Sequence, residues 1–214
     1  MERIIFLVDG FNLYGSIKEI QKEKGIITKW LDLHSLFTSY LSLFGKNTKI
    51  EEIHFFTALQ DYLRNRYPEK VKRHLDYIKC LKSTNINVVL GRFKEKNITY
   101  INEDCRVYLK KHEEKETDVA IGVKLFELLA FNKCDTCVLV TGDTDLIPAV
   151  KICKNSYPKK RIVFAFPYNR NRNKQLKKIA SKYFTINYSQ YLKYQFPDPV
   201  ILKDGTNIKK PDTW

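Results

Sequence analysis

Aspartates placed where apolar runs stop are the residues of this chain best suited to chemistry. Residues 4–8, Ile-Ile-Phe-Leu-Val, run directly into Asp9-Gly10-Phe11-Asn12. Residues 138–140, Val-Leu-Val, run into Thr141-Gly142-Asp143-Thr144-Asp145. Between them, Asp118 opens a long apolar stretch. Carboxylates gathered at one edge of a fold repel one another, so such a cluster is unfavourable until something neutralises it. A divalent cation is the usual partner. Magnesium and manganese prefer oxygen ligands, and magnesium keeps several waters when bound. Metal-assisted chemistry is therefore the first expectation.

Alternating strands and helices must position these acids. Nearly continuous apolar runs predict strands at 3–8, 53–59, 86–90, 136–140, 161–166 and 183–186. Strands of this kind are buried on both faces, as in a parallel sheet. A short extended piece at 98–101 predicts an excursion or hairpin. Helical spacing appears at 33–44, 68–81, 118–131, 146–154, 173–183 and 188–194. Pro68 suits a first helical turn. The stretch 118–131 is apolar nearly all round, which predicts deep burial. The pattern implies an α/β fold, a three-layer sandwich with a mainly parallel central sheet and right-handed crossovers. No repeat or low-complexity linker divides the chain, so one domain is expected over residues 1–190. Pro197, Pro199, Gly205 and Pro211 break the pattern beyond it, and residues 191–214 are expected to form an extended or partly disordered extension.

Open doubly wound sheets bind ligands outside the carboxyl ends of their strands, where strand order reverses. If the first strand is central, the strand ending at Val140 can lie beside it. Asp9 and Asp143 would then face one crevice. Asp118 is harder to place. It starts the helix that leads into the second strand, and a simple crossover is expected to put that start opposite the carboxyl edge. Local readings exist for each acid as well. Asp9-Gly10 suits a turn, while Asp118 (aided by Thr117), Asp143 or Asp145 suits a helix start. They do not explain why two strand ends share acids.

The remaining composition bounds the possibilities. With 38 basic and 24 acidic residues the 214-residue chain carries a net charge of +14, a balance that attracts polyanions. No apolar run approaches the roughly 20 residues of a membrane span. The first strand-like run has no cleavage site after it, and five irregularly spaced cysteines suit a reducing setting, so a cytoplasmic location is expected. The lone Cys134-Asp135-Thr136-Cys137 motif has no second pair to complete a zinc site and reads as two semi-buried thiols. No GxGxxG or P-loop follows the first strand, and Asp9-Gly10-Phe11 lacks the second aspartate of a DxD phosphatase.

Three segments in order, residues 5–14 (IFLVDGFNLY), 114–121 (EKETDVAI) and 138–150 (VLVTGDTDLIPAV), resemble the NYN domain, the LabA-like branch of the PIN-like nuclease superfamily. The resemblance covers roughly residues 3–187. It implies a PIN-like Rossmannoid fold and a metal-dependent ribonuclease that hydrolyses RNA phosphodiester bonds, leaving a 5′-phosphate and a 3′-hydroxyl. It also places Asp118 within the acidic cluster. Asp9, Asp118 and Asp143 then hold Mg2+ or Mn2+. Asp145 is a further catalytic candidate, and Asn12 offers its amide to the metal or a phosphate oxygen. Thr141 can bind a phosphate or a water, or simply be a small residue at a crowded strand end. Lys115 matches a family lysine that can touch substrate phosphate, within a run that also reads as solvated charge. Some relatives carry a paired-cysteine knuckle nearby. Here only Cys105 and His112 remain, and no structural zinc is expected. A non-catalytic RNA-binding or regulatory module on the same fold is the alternative.

Basic residues suggest where RNA would lie. Residues 159–182 contain nine lysines and arginines and no acid. Arg170, Arg172, Lys174, Lys177 and Lys178 follow the strand's carboxyl end, on the expected face of the acids, with Tyr168 and asparagines interleaved. Arg64 and Arg66, with Tyr62 and Tyr67, follow the strand at 53–59 on the same face. Cations suit phosphates, and Tyr168 can stack on a base. A single strand or a structured RNA is the expected partner.

Overall fold

The computed structural model describes residues 1–102, 105–170 and 173–214. Strand β1 (Glu2–Asp9) is buried on both faces, with Ile4, Phe6 and Val8 in one apolar cluster and Ile5 and Leu7 in another. After it come α1 (Gly10–Lys24), α2 (Leu33–Thr38), β2 (Thr48–Ala58), α3 (Pro68–Ser83), β3 (Asn87–Asn102) and β4 (Cys105–Lys115). The second half runs α4 (Thr117–Ala130), β5 (Thr136–Val140), α5 (Ile147–Ser156), β6 (Arg161–Phe166), α6 (Lys174–Ile179), β7 (Lys182–Thr185) and α7 (Tyr188–Lys193). Two short strands, β8 (Val200–Ile201) and β9 (Asn207–Ile208), pair as a small antiparallel unit.

The main sheet has seven strands in the order β4-β3-β2-β1-β5-β6-β7. All its pairings are parallel except β3 with β4. Side-chain alternation sends Val138, Val140, Val163 and Ala165 to the layer of α1 and α2, and Leu139, Ile162 and Phe164 to the layer of α4 and α5. This is the expected three-layer α/β sandwich. The chain builds outward from β1 in both directions, so strand order reverses between β1 and β5. Val8 pairs with Val140 there, which sets Asp9 beside Thr141.

Several expectations are corrected. A helix was not anticipated after β1, yet α1 buries Leu13, Ile17 and Ile20 at helical spacing and ends at Gly25 with φ 67°. Its first residues had the look of a turn because Asp9 caps the helix, accepting from the Asn12 backbone N–H at 2.9 Å. The stretch 33–44 is not one helix. Thr38 and Ser39 hydroxyls bond back to His34 and Leu36 carbonyls, and a short 3-10 turn, Leu41–Leu43, follows. The expected helix at 173–183 stops at Ile179, because Ala180 is extended and the next residues enter β7. The strand at 86–90 continues far past its expected end, and with β4 forms an 11-residue antiparallel arm that absorbs the expected piece at 98–101. Deep burial of the whole of α4 does not hold either. Ile121, Leu125, Leu128 and Leu129 pack on the sheet, while Val119 and Val123 are 70% and 62% exposed, because one helix face suffices to cover the strands.

Residues beyond α7 pack onto the same core as α1. Phe196, Val200 and Ile208 are buried there, and Phe196 N–H donates to the Trp30 carbonyl at 2.8 Å. Cys134 and Cys137 are fully buried free thiols, deeper than expected, and Asp135 between them pairs with Arg3 at 2.9 Å. No helix among the described residues is long and apolar enough to cross a membrane.

Candidate metal centre and substrate face

The β3–β4 arm decides where Asp118 goes. Strand β3 runs parallel to β2, passes the carboxyl edge near Gly91, and β4 returns antiparallel until Lys115 pairs with Arg92. The chain is thus back at that edge when α4 begins. Glu116, at φ 82°, makes the left-handed turn between them, and its carboxylate pairs with Arg92 at 2.7 Å. A crossover helix runs antiparallel to the strands it connects, so its start belongs on the carboxyl edge. The expectation that a simple crossover separates the two is corrected on this point.

Asp118 does not cap its helix. Glu114 does so instead, accepting from the Thr117 backbone N–H at 3.1 Å and from the Thr117 hydroxyl. That leaves the Asp118 carboxylate free to turn toward β1 and β5. The local signal for Glu114 was its position three residues before the helix start, hidden inside a run that read as solvated charge.

Asp9, Asp118 and Asp143 come together, with one carboxylate oxygen from each within 4.8 Å of the others. Internal hydrogen bonds fix the two strand ends. The Thr141 hydroxyl donates to Asp9 Oδ2 at 2.9 Å and accepts from the Asp143 backbone N–H at 3.0 Å. Asn12 Oδ1 accepts from the Gly142 N–H at 3.0 Å, tying the first turn of α1 to the loop after β5. Thr141 is buried, so it serves as a strut between two acids rather than as an open phosphate contact. Asp145 lies exposed beside the cluster, outside the close triad. Its backbone N–H donates to Asp143 Oδ1 at 3.0 Å, and α5 has no side-chain cap, so Asp145 is not spent on that role.

Burial raises the pKa of Asp9, against the opposing effect of its hydrogen bonds from Asn12 and Thr141. Asp118 is pushed up to about 6 by desolvation, then by Asp143 and Asp9. Desolvation is the larger cause for both acids, and the neighbouring carboxylates add to it. The donor set is entirely oxygen and suits Mg2+ or Mn2+.

The raised pKa of Asp118 gives a stability prediction for the metal-free protein. Between the ordinary carboxylate range and about 6, the folded chain holds a proton that the unfolded chain has released. Stability contributed by this group therefore falls as pH rises through that window. In chelator, Asp118→Asn is expected to melt above wild type at pH 7, by about 1 kcal/mol after discounting for water screening of a half-buried group. The difference should shrink as pH falls and vanish only below the ordinary aspartate range, near pH 3, where Asp118 is neutral in both folded and unfolded chains. Melting curves at the two pH values check it, and equal melting temperatures at pH 7 would count against a raised Asp118 pKa.

The basic residues do not all behave alike. Lys174 and Lys178 are exposed on α6. Arg170 is turned inward, with its guanidinium 3.2 Å from Glu19 and packed over Gly15 of α1. Arg172 lies outside the described residues. Arg64 pairs with Asp61 at 2.6 Å, Arg66 sits over the Tyr67 ring at 5.3 Å, and Lys115 lies 3.3 Å from Glu113. The Tyr168 hydroxyl donates to Glu23 at 2.9 Å. Sequence spacing placed these residues after strand ends but did not reveal these local partners.

The NYN domain model matches residues 3–187, a span that includes all four aspartates. The chain belongs to the NYN domain family. NYN domains are nuclease-like, and the seven-stranded sheet of this one has the PIN-like Rossmannoid arrangement. Among curated proteins, this NYN chain is 26% identical to 6-hydroxy-3-succinoylpyridine 3-monooxygenase HspA of Pseudomonas putida, covering 97% of this chain and 73% of that protein. Among solved structures, a protein of unknown function from Vibrio parahaemolyticus superposes with a TM-score of 0.54 at 15% identity, covering 91% of this chain and 96% of that one. The second likeness shows the fold alone.

Proposed function

We propose that this NYN domain is a magnesium- or manganese-dependent ribonuclease that hydrolyses RNA phosphodiester bonds within the strand. One observation carries the reading: three carboxylates from three separate segments converge within 4.8 Å at the switch point of the sheet. Asp9, Asp118 and Asp143 would hold the cation, which would supply Lewis-acid activation of a water nucleophile and offset charge developing on the phosphoryl oxygens. Asp9 is fixed by Thr141 and the Asn12 backbone, so its carboxylate needs no rearrangement. Asn12 uses its oxygen to hold Gly142, which leaves its amide N–H groups to donate to a substrate phosphate. Asp145, exposed and next to Asp143, accepts a proton from the attacking water. Lys174 and Lys178 draw the strand toward this edge. Buried free thiols fit a reducing cytoplasmic setting.

Labelled circular and linear RNA, incubated with magnesium, manganese or chelator, tests the reading. Cutting of the circle with either metal and none in chelator is expected, since a circle has no end to erode. Cleavage that persists in chelator would sink the mechanism. Binding of many RNAs without cleavage in any metal would favour the regulatory module. For the substrate face, Lys174→Ala/Lys178→Ala is expected to reduce the slope of log affinity against log salt by about 0.7 for each lost phosphate contact on single-stranded RNA. An unchanged slope in filter-binding titrations would return both lysines to the solvated surface.

A further inference from the structure

A second concave site opens beside the acids, on the other face of the sheet. It lies between α1 and α3 at the carboxyl end of β2 and has a volume of about 450 Å³. Pockets for small molecules span roughly 300–1,000 Å³, so this one is sized for a single mononucleotide-like ligand. Gly10 and Phe11 line it, which makes it continuous with the chain leaving Asp9.

Two features of its lining point to the ligand. Four cations face it, Lys18, Lys29, Lys70 and Arg73, and no aspartate or glutamate side chain does. None of the four takes part in an ion pair among the described residues, although the protein pairs its charges freely elsewhere. Burial lowers the pKa of Lys29, followed by repulsion from Arg73 and Lys18, so these charges crowd one another. Like charges gathered around a concavity are relieved by an anion. The second feature is aromatic. Tyr14, Phe55, Tyr77 and Trp214 supply the walls, and Trp214 is braced by Tyr77 at 5.8 Å and Trp30 at 6.0 Å between ring centroids. Such faces hold planar rings.

A ligand that answers both features joins a planar ring to a multiply charged group. We propose that this cavity is a nucleotide-binding pocket, seating one nucleoside monophosphate with its base on the aromatic wall and its phosphate among Lys29, Lys70 and Arg73. A dianionic phosphate matches a group of four cations better than a single carboxylate does. The same unit can arrive as a free nucleotide or as the phosphorylated end of an RNA strand. The pocket uses none of the clustered aspartates, so it stands whether or not they cut RNA.

Calorimetric titration of the full chain with AMP and UMP, in chelator, tests the proposal. Binding is expected, and adenosine should bind at least about tenfold more weakly because it lacks the charge-assisted contacts. Lys29→Ala/Arg73→Ala should weaken AMP by a similar factor, with Lys29→Arg restoring part of the loss and circular dichroism confirming the fold. Asp143→Asn should bind AMP as wild type does. Competition by 5′-phosphorylated but not 5′-hydroxyl oligoribonucleotide would support the pocket and assign it to RNA ends. Lack of competition by either, with AMP bound, would support it as a free-nucleotide site. Three results would overturn it: no binding of either nucleotide, binding indifferent to Lys29 and Arg73, or benzoate binding as tightly as AMP. None of these bears on metal-dependent cleavage, which chelator has removed from the measurement.

Discussion

Asp143→Asn is expected to lower metal-dependent cleavage of RNA by on the order of 10³-fold, while the fold and RNA affinity are retained. The structure explains why one oxygen-to-amide change should be so selective. Asp143 Oδ1 accepts from the Asp145 N–H, and asparagine keeps that acceptor. The backbone N–H of residue 143 still reaches Thr141, so the loop after β5 stays in place. What disappears is one negative charge from a group of three carboxylates within 4.8 Å. Two further readings follow from the lost charge. Melting in chelator should rise slightly, because Asp143 repels Asp9 and Asp118. The rise in melting temperature on adding Mn2+ should shrink, because a weaker site gains less from its ligand. Wild-type cleavage by the variant would remove Asp143 from the mechanism.

Gly142→Ala is expected to destabilise the protein by about 1–3 kcal/mol, a loss of roughly 2–12 °C in melting temperature for a chain of this size. A Cβ at this position would overlap the Arg170 carbonyl oxygen and lie 2.9 Å from the Arg170 Cβ. Neither neighbour is the far end of a flexible side chain. The Arg170 backbone is itself held by a bond from its N–H to the Pro167 carbonyl at 2.9 Å. The loop after β5 would have to yield, and with it the Gly142 N–H that anchors Asn12. Cleavage should fall along with stability, unlike the selective loss in Asp143→Asn. Thermal melting checks the first part, and an unchanged transition would mean that the 167–170 turn moves aside readily.

The paired strands were legible because their residues are apolar at nearly every position, as in Ile4–Val8 of β1 and Cys137–Val140 of β5. Given central β1, the meeting of Asp9 and Asp143 followed from topology alone. Asp118 was not legible from spacing, because its position depends on how far the β3–β4 arm travels before returning. That length is set by the pairing of Arg92 with Lys115, a contact between distant residues. Helix α1 was hidden by the two roles of Asp9, which ends a strand and caps a helix in one residue. Arg170 had the right sign and place in the sequence. Its inward turn depends on Gly15 and Glu19, on an element that local patterning did not reveal.

The order of strands has a consequence for how this protein comes into being. Synthesis delivers β1 first, and β2 and β3 can pair on one side of it while the rest is still being made. The strand that completes the other side, β5, arrives far later, and the Thr141–Asp9 hydrogen bond closes across 132 residues. Until then Asp9 has neither Thr141 nor Asp143 beside it. A partly synthesised chain, or a fragment cut anywhere between β1 and β5, therefore carries no assembled acid cluster. Whatever chemistry that cluster carries out, it can begin only once β5 has docked.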